Sequence, residues 1–143
     1  MRVLVVRHGR AAAPRSGVPD NERALTPEGK RLFARAAEGL ARLVSKPDAL
    51  LVSPLRRAKQ TAEFLEVAWG MEMTLEPTLA SGSVEMILAM LDKHPPDASV
   101  VLVGHEPTVS VLVARLVGSS EAVTFEPGAA ALIEQGRLVW FRR

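Results

Sequence analysis

Short, continuously apolar runs alternate along this chain with longer stretches in which apolar residues return every third or fourth position. Val3-Leu4-Val5-Val6, Ala49-Leu50-Leu51-Val52 and Ser99 to Val103 are runs of the first kind. An apolar run without alternation predicts a strand buried on both faces, as in a parallel sheet covered by helices. The second kind appears three times. Leu32, Phe33, Ala36, Ala37, Leu40, Leu43 and Val44 share one helical face behind Thr26-Pro27, which predicts a helix from about Pro27 to Val44 with Thr26 as its cap. Leu55, Ala58, Ala62, Leu65 and Trp69 form a second stripe, for which Ser53 is the expected cap, Pro54 the first helical residue and Gly70 the end. Val109, Leu112, Val113, Leu116 and Val117 form a third, behind Pro107.

Weaker patterns complete the chain. Met71 to Leu75 predicts a third strand, and Val84, Ile87, Leu88 and Leu91 a short helix before the Pro95-Pro96 break. Ala129 to Ile133 and Leu138 to Phe141, joined through Gln135-Gly136, predict a hairpin. Arg10 to Arg23 has no period and is rich in Ala, Pro and charge, so it reads as a functional or disordered loop. Strands alternating with amphipathic helices give an α/β fold class. The expectation is a three-layer α/β/α sandwich with a mostly parallel central sheet and a C-terminal antiparallel hairpin.

Parallel strands all end on one edge of their sheet, and ligands bind outside that edge. Here the first strand ends in Arg7-His8, the second in Ser53-Pro54 with Arg56 and Arg57 close behind, and the fourth in Gly104-His105. Two of these places are also predicted helix starts, where free backbone N–H groups favour an anion. Arginine forks match the oxygens of a phosphoryl group, and a neutral imidazole is a competent nucleophile near neutral pH. Each feature also has a plain structural reading: His8 as a hydrogen-bonder closing a strand, Ser53-Pro54 as a helix start, Arg56 and Arg57 as a solvated face, Gly104 to Pro107 as a tight turn. His94, beside two prolines, reads as a surface histidine. It is the joint occurrence at three strand ends that points to an anion pocket.

Composition narrows the chemistry. The 143 residues are 48% hydrophobic, enough for one substantial core, so a single domain spanning 1–143 is expected. There is no cysteine, which excludes a disulfide framework, a cysteine-rich zinc site and a cysteine nucleophile. A Gly-rich phosphate loop ending in Lys-Ser or Lys-Thr is missing, no Asp stands at a strand end as a carboxylate nucleophile, and no acidic or histidine cluster has metal-ligand spacing. Neither a cofactor nor a metal is therefore expected. A net charge of +2, with aromatic residues not interleaved among basic ones, gives no reason to expect a nucleic-acid partner. No apolar run reaches membrane-spanning length, so a soluble cytoplasmic protein without a membrane partner is the expectation.

The same residues carry a family resemblance. Arg7-His8-Gly9 is similar to the RHG signature of the histidine phosphatase superfamily, the phosphoglycerate-mutase-like fold. Leu25-Thr26-Pro27-Glu28-Gly29 resembles its LTxxG element, Ser53 through Ala62 its SPxxRAxQTA element, and Gly104-His105-Glu106-Pro107 its GHxP. The resemblance implies that His8 is a nucleophile forming a phosphohistidine, with Arg7, Arg57 and His105 holding the phosphoryl group. Gly9 and Ser53 join them as substrate-binding positions. Arg57 is favoured over Arg56 because it directly precedes Ala58, as the family's arginine does.

Within the superfamily the short chain looks most like the SixA type of phosphohistidine phosphatase, since residues 70–96 leave little room for a lid. The glutamate that serves larger members as general acid has no clear match. Glu85 is the nearest candidate, with Asp20 and Glu22 as others. An alkoxide leaving group needs a proton, worth about 100- to 10,000-fold, whereas a phosphoramidate is more labile. The implied partner is thus a protein carrying phosphohistidine. A small phosphorylated metabolite selected by Arg10, Arg15 and Arg23, or a phosphate-binding module without turnover, are the alternatives.

Overall fold

The computed structural model describes residues 1–119 and 123–143. Its centre is a six-stranded sheet in the order β3-β2-β4-β1-β5-β6. The strands are β1 (Arg2–Arg7), β2 (Ala49–Val52), β3 (Thr74–Leu75), β4 (Ser99–Gly104), β5 (Ala130–Glu134) and β6 (Arg137–Arg142). β1 to β4 are mutually parallel, while β5 runs antiparallel to β1 and β6 antiparallel to β5. The helices are α1 (Pro27–Leu43), α2 (Arg56–Trp69), α3 (Thr78–Ser81), α4 (Val84–Leu91) and α5 (Thr108–Val117).

The three unalternating apolar runs become the adjacent strands β2, β4 and β1, and each is buried on both faces. Val3, Val5, Val100 and Leu102 face a core shared with Ile87 and Leu91 of α4 and Leu112 and Val113 of α5. Leu4, Val6, Val101 and Val103 face a second core with Phe33, Ala37 and Leu40 of α1 and Ala58, Ala62 and Leu65 of α2. This is the expected three-layer sandwich. Transfer of such side chains from water is worth about 1.5 to 3 kcal/mol each, which is why the continuous runs, rather than edge segments, form the centre.

Several local expectations are corrected. On α1 the buried line steps through Gly29, Phe33, Ala37 and Leu40 to Val44, and leaves Leu32 and Leu43 nearly half exposed at its margins. α2 does not begin at Ser53-Pro54: its cap is Leu55, with no side-chain cap, and Ser53 is turned into the protein interior. The third strand is only Thr74–Leu75, and the unforeseen single turn α3 follows it, steadied by the Glu76 carboxylate accepting from the backbone and hydroxyl of Thr78. Pro107 stands at the cap of α5, after a cis Glu106–Pro107 bond. The hairpin is as expected, with Gln135 and Gly136 both at positive φ, the backbone twist that suits a two-residue turn.

The 10–25 loop is ordered at its neck. Ala11 bridges Leu25, Ala12 N–H donates to Ala24, and Thr26 N–H donates to Arg10. A 3-10 turn, Asp20–Glu22, lies at its far end. The neck requires Gly29: a Cβ there would overlap the Arg10 carbonyl, so the first turn of α1, capped by Thr26 accepting from Gly29 N–H, rests directly on the loop. None of the helices in the described residues is long and apolar enough to cross a membrane.

Candidate active site

Register brings three strand ends level. Arg7 pairs with Gly104 and Val52 with Val103, so the residues that follow lie side by side at one edge of the sheet. His8 N–H donates to Gly104 and Ser53 N–H to Val103, continuing the ladders one residue further. The structure thereby brings His8, Arg7, Arg57 and His105 round one cavity of about 250 Å³, with Arg10, Ala11, Arg23, Glu106 and Pro127 completing its wall. The rings of His8 and His105 lie 5.1 Å apart, centre to centre. Arg57 is buried to 7% exposure, while Arg56 is exposed.

Each side chain is oriented by a partner outside the cavity. The Nδ1 of His8 lies 2.7 Å from the Gly9 carbonyl, an acceptor, so Nδ1 carries the hydrogen and donates, and Nε2 keeps its lone pair. Arg7 Nη1 donates to Phe125 O at 2.8 Å. Arg57 donates from Nη1 to Asp20 O at 2.9 Å and from Nη2 to the Asp20 carboxylate at 3.2 Å. His105 Nε2 lies 2.7 Å from Ser53 Oγ. Ser53 is wholly buried and is not part of the cavity wall, so it touches His105 rather than a bound substrate. Gly9 is likewise absent from that wall: its N–H donates to Thr61 and its carbonyl accepts from His8.

Among the described residues, four buried side-chain polar atoms lack a hydrogen-bond partner: Arg7 Nε, Arg57 Nε, His105 Nδ1 and His94 Nδ1. Three of the four belong to this cluster. Buried donors without partners cost about 1 to 3 kcal/mol each and are rare in native proteins. All three belong to side chains that line one cavity, as expected of a place where an oxyanion completes the network.

Both rings are held neutral. Burial, more than any other cause, lowers the pKa of His8 to about 4, with the charges of Arg57, Arg7 and Arg23 adding to it against the Gly9 hydrogen bond. Burial also leads for His105, lowered to about 3, followed by His8 and Arg57. The arginines are thus a secondary cause of neutrality.

The proposed acids are found elsewhere or are otherwise engaged. Glu85 stands exposed on α4, paired with Arg115 at 2.7 Å, and is not among the residues lining the cavity. The hydrogen bond from Arg115 holds its carboxyl below the usual range. Asp20 is gripped by Arg23 and Arg57, whose hydrogen bonds and charge also keep it ionised. The backbone carbonyl of Glu22 lies 3.5 Å from Arg56, and its side chain is not part of the wall. Glu106, the carboxylate among the described lining residues, is committed to Ser110 and to the Phe125 N–H. Glu106 therefore fastens the segment whose carbonyl holds Arg7.

Three supports had no role assigned from sequence. Thr61 is wholly buried, accepts from Gly9 N–H at 2.9 Å and donates to Arg57 O at 2.8 Å, tying the turn after β1 to α2. Gln60 accepts from Leu25 N–H at 2.7 Å and fastens the loop neck. Phe125 lies beyond any recognised element. The signal for the first two was present, since Gln60-Thr61 sits within the quoted motif; nothing in the sequence around Phe125 marks it.

Comparison with known proteins agrees with this geometry. SixA of Escherichia coli, a phosphohistidine phosphatase, is 32% identical over 141 residues, covering 93% of this chain and 84% of that protein. An uncharacterised protein of Picosynechococcus is 37% identical over 114 residues, 75% of this chain and 67% of that one. The solved structure of the protein histidine phosphatase SixA complexed with tungstate superposes with a TM-score of 0.88 at 30% identity, covering 99% of this chain and 96% of that one. The family model of the histidine phosphatase superfamily, branch 1, matches residues 3–84, which contain the first two strand ends and the loop between them. With over half its length matched and its strand ends so arranged, the chain belongs to the histidine phosphatase superfamily.

Proposed function

We propose that this chain is a protein phosphohistidine phosphatase working through a phosphohistidine on its own His8. The observation that carries the reading is the set of unpartnered buried nitrogens on Arg7, Arg57 and His105 beside a histidine whose Nε2 lone pair is free. His8 Nε2 attacks phosphorus and the bond from phosphorus to the substrate's imidazole nitrogen breaks, that imidazole leaving with a proton from solvent. Water then attacks the phosphorylated His8, the phosphorus–Nε2 bond breaks, and inorganic phosphate departs. Arg7, Arg57 and His105 hold the equatorial oxygens throughout, where charge-assisted hydrogen bonds are worth about 1.5 to 3 kcal/mol each.

The preference for phosphohistidine rests on the leaving group. Among the described residues, no carboxylate of the wall is free to give a proton, as an alkoxide would require. A likeness to E. coli SixA over nearly the whole chain supports the same substrate class, and tungstate, found with SixA, is a tetrahedral oxyanion of the kind this pocket suits. In this reading the chain acts as one histidine phosphatase domain in the cytoplasm, without a metal. One feature favours a small phosphomonoester instead: Arg10 and Arg23 in the wall supply cations for a second anionic group. Phosphate release from a phosphohistidine-bearing protein and from a panel of phosphomonoesters, with chelator present, separates the two. The proposal expects the phosphohistidine protein to turn over fastest, and faster release from one metabolite overturns it.

A further inference from the structure

His8 and His105 meet the same cavity, yet the chemistry asks opposite things of them: one must offer a lone pair and the other an N–H. Burial keeps both rings neutral, so each carries a single hydrogen, and which nitrogen holds it decides what the pocket sees. For His8 the Gly9 carbonyl settles the matter, because a carbonyl only accepts. His105 has a hydroxyl as partner, and a hydroxyl can give or take.

The surroundings of Ser53 remove the ambiguity. Its Oγ already accepts from Leu55 N–H at 3.3 Å, and the hydroxyl is wholly buried, beyond the reach of solvent. Among the described residues, the one acceptor bonded to it is His105 Nε2, 2.7 Å away. Were the imidazole hydrogen on Nε2, the serine hydrogen would have no acceptor among the described residues, and the unpartnered Nδ1 of His105, a lining residue of the cavity, would have a lone pair and no hydrogen to offer a phosphoryl oxygen. We infer that Ser53 is a positioning residue that donates its hydroxyl to His105 Nε2, fixing the imidazole hydrogen on Nδ1, from which it is donated to an oxygen of the bound phosphoryl group. Both histidines then carry their hydrogen on Nδ1, and they differ only in which nitrogen the protein has taken for itself. The inference rests on the proposed phosphoryl pocket for its purpose, but the position of the hydrogen is a property of the free protein.

Nitrogen-15 NMR of histidine-labelled protein at pH 7 reads that position directly. Expected in the wild type is a pyrrole-like Nδ1 and a pyridine-like Nε2 for His105, assigned by loss of its signals in His105→Gln. A pyrrole-like Nε2 overturns the inference whatever the enzyme hydrolyses. In Ser53→Ala the His105 hydrogen is expected to redistribute to Nε2, while kcat falls about tenfold to a hundredfold, with KM changed less than about threefold. Ser53→Thr, which keeps the hydroxyl, is expected to restore both tautomer and kcat. An unchanged His105 tautomer in a folded Ser53→Ala, checked by thermal melt, also overturns it. A correct tautomer in a protein with no phosphatase activity on any substrate would instead sink the proposed function and leave the role of Ser53 standing.

Discussion

The floor of the pocket and its rim are built on opposite plans. On the floor, His8, Arg7, Arg57 and His105 stand at the ends of β1 and β4 and in the first turn of α2, each pinned from behind and each carrying or neighbouring a polar atom left without a partner. On the rim, Asp20 and Arg23 belong to the 10–25 loop and pair with each other, Asp20 standing largely in solvent and Arg23 mostly covered; Asp20 also holds Arg57 from outside, and neither leaves a buried polar atom open. Fixed donors aimed at one spot stabilise charge that develops there, whereas an ion pair already satisfied and open to solvent on one side contributes less. The floor is therefore expected to govern kcat and the rim to adjust binding.

The strongest way to break that contrast is to remove the nucleophile. His8→Ala is expected to lose at least about a thousandfold in turnover, measured as phosphate release from a phosphohistidine-bearing protein, while still binding tungstate through the arginines. Next comes Arg57→Ala, which removes one oxyanion donor and is expected to lower kcat by about 100- to 1,000-fold. Replacement by Lys recovers only part, because a point charge cannot both grip Asp20 with two nitrogens and face the phosphate with a third.

Acidity sharpens the contrast. With the His8 pKa lowered to about 4, the ring remains a nucleophile well below the pH at which an ordinary histidine, near 6.5, takes up its proton. The enzyme's acid limb in kcat/KM, corrected for substrate ionisation, is thus expected near pH 4 instead of 6.5. Stability follows the same groups: an unfolded chain binds these protons near pH 6.5 and the folded one only near 4 and 3, so stability falls as pH drops from about 6.5 towards 3. Denaturant melts across that range check it separately from activity. The smallest effect is expected at the rim, where Asp20→Asn should change kcat by less than about tenfold and act mainly through KM. A loss at Asp20 as large as that at His8 would make Asp20 the missing acid and erase the distinction between floor and rim.

Much of the floor was legible before any coordinates. β1, β2 and β4 are unalternating apolar runs, and a run of that kind has one comfortable place, the middle of a covered parallel sheet. Once they are neighbours, their ends must lie together, and His8, Arg57 and His105 follow. What resisted reading depends on contacts far apart in the chain. Ser53-Pro54 fits the rule for a helix start, but the three residues Ser53 to Leu55 turn before α2 begins, which frees the serine to face His105. Glu85 looked near the site by chain position alone, and only the packing of α4 against α5 shows that it meets Arg115 instead. The hold of Phe125 on Arg7 joins residues 118 positions apart through a backbone carbonyl, an atom every residue possesses.

Whether His8 carries the phosphoryl group is answered most directly by trapping the enzyme in turnover. Protein mixed with a phosphohistidine substrate, quenched in alkali and mapped by mass spectrometry and phosphorus NMR, is expected to show one alkali-stable, acid-labile phosphoryl group on Nε2 of His8, absent from His8→Ala. Phosphate found on any other residue, or His8→Ala turning over at an undiminished rate, would contradict the account.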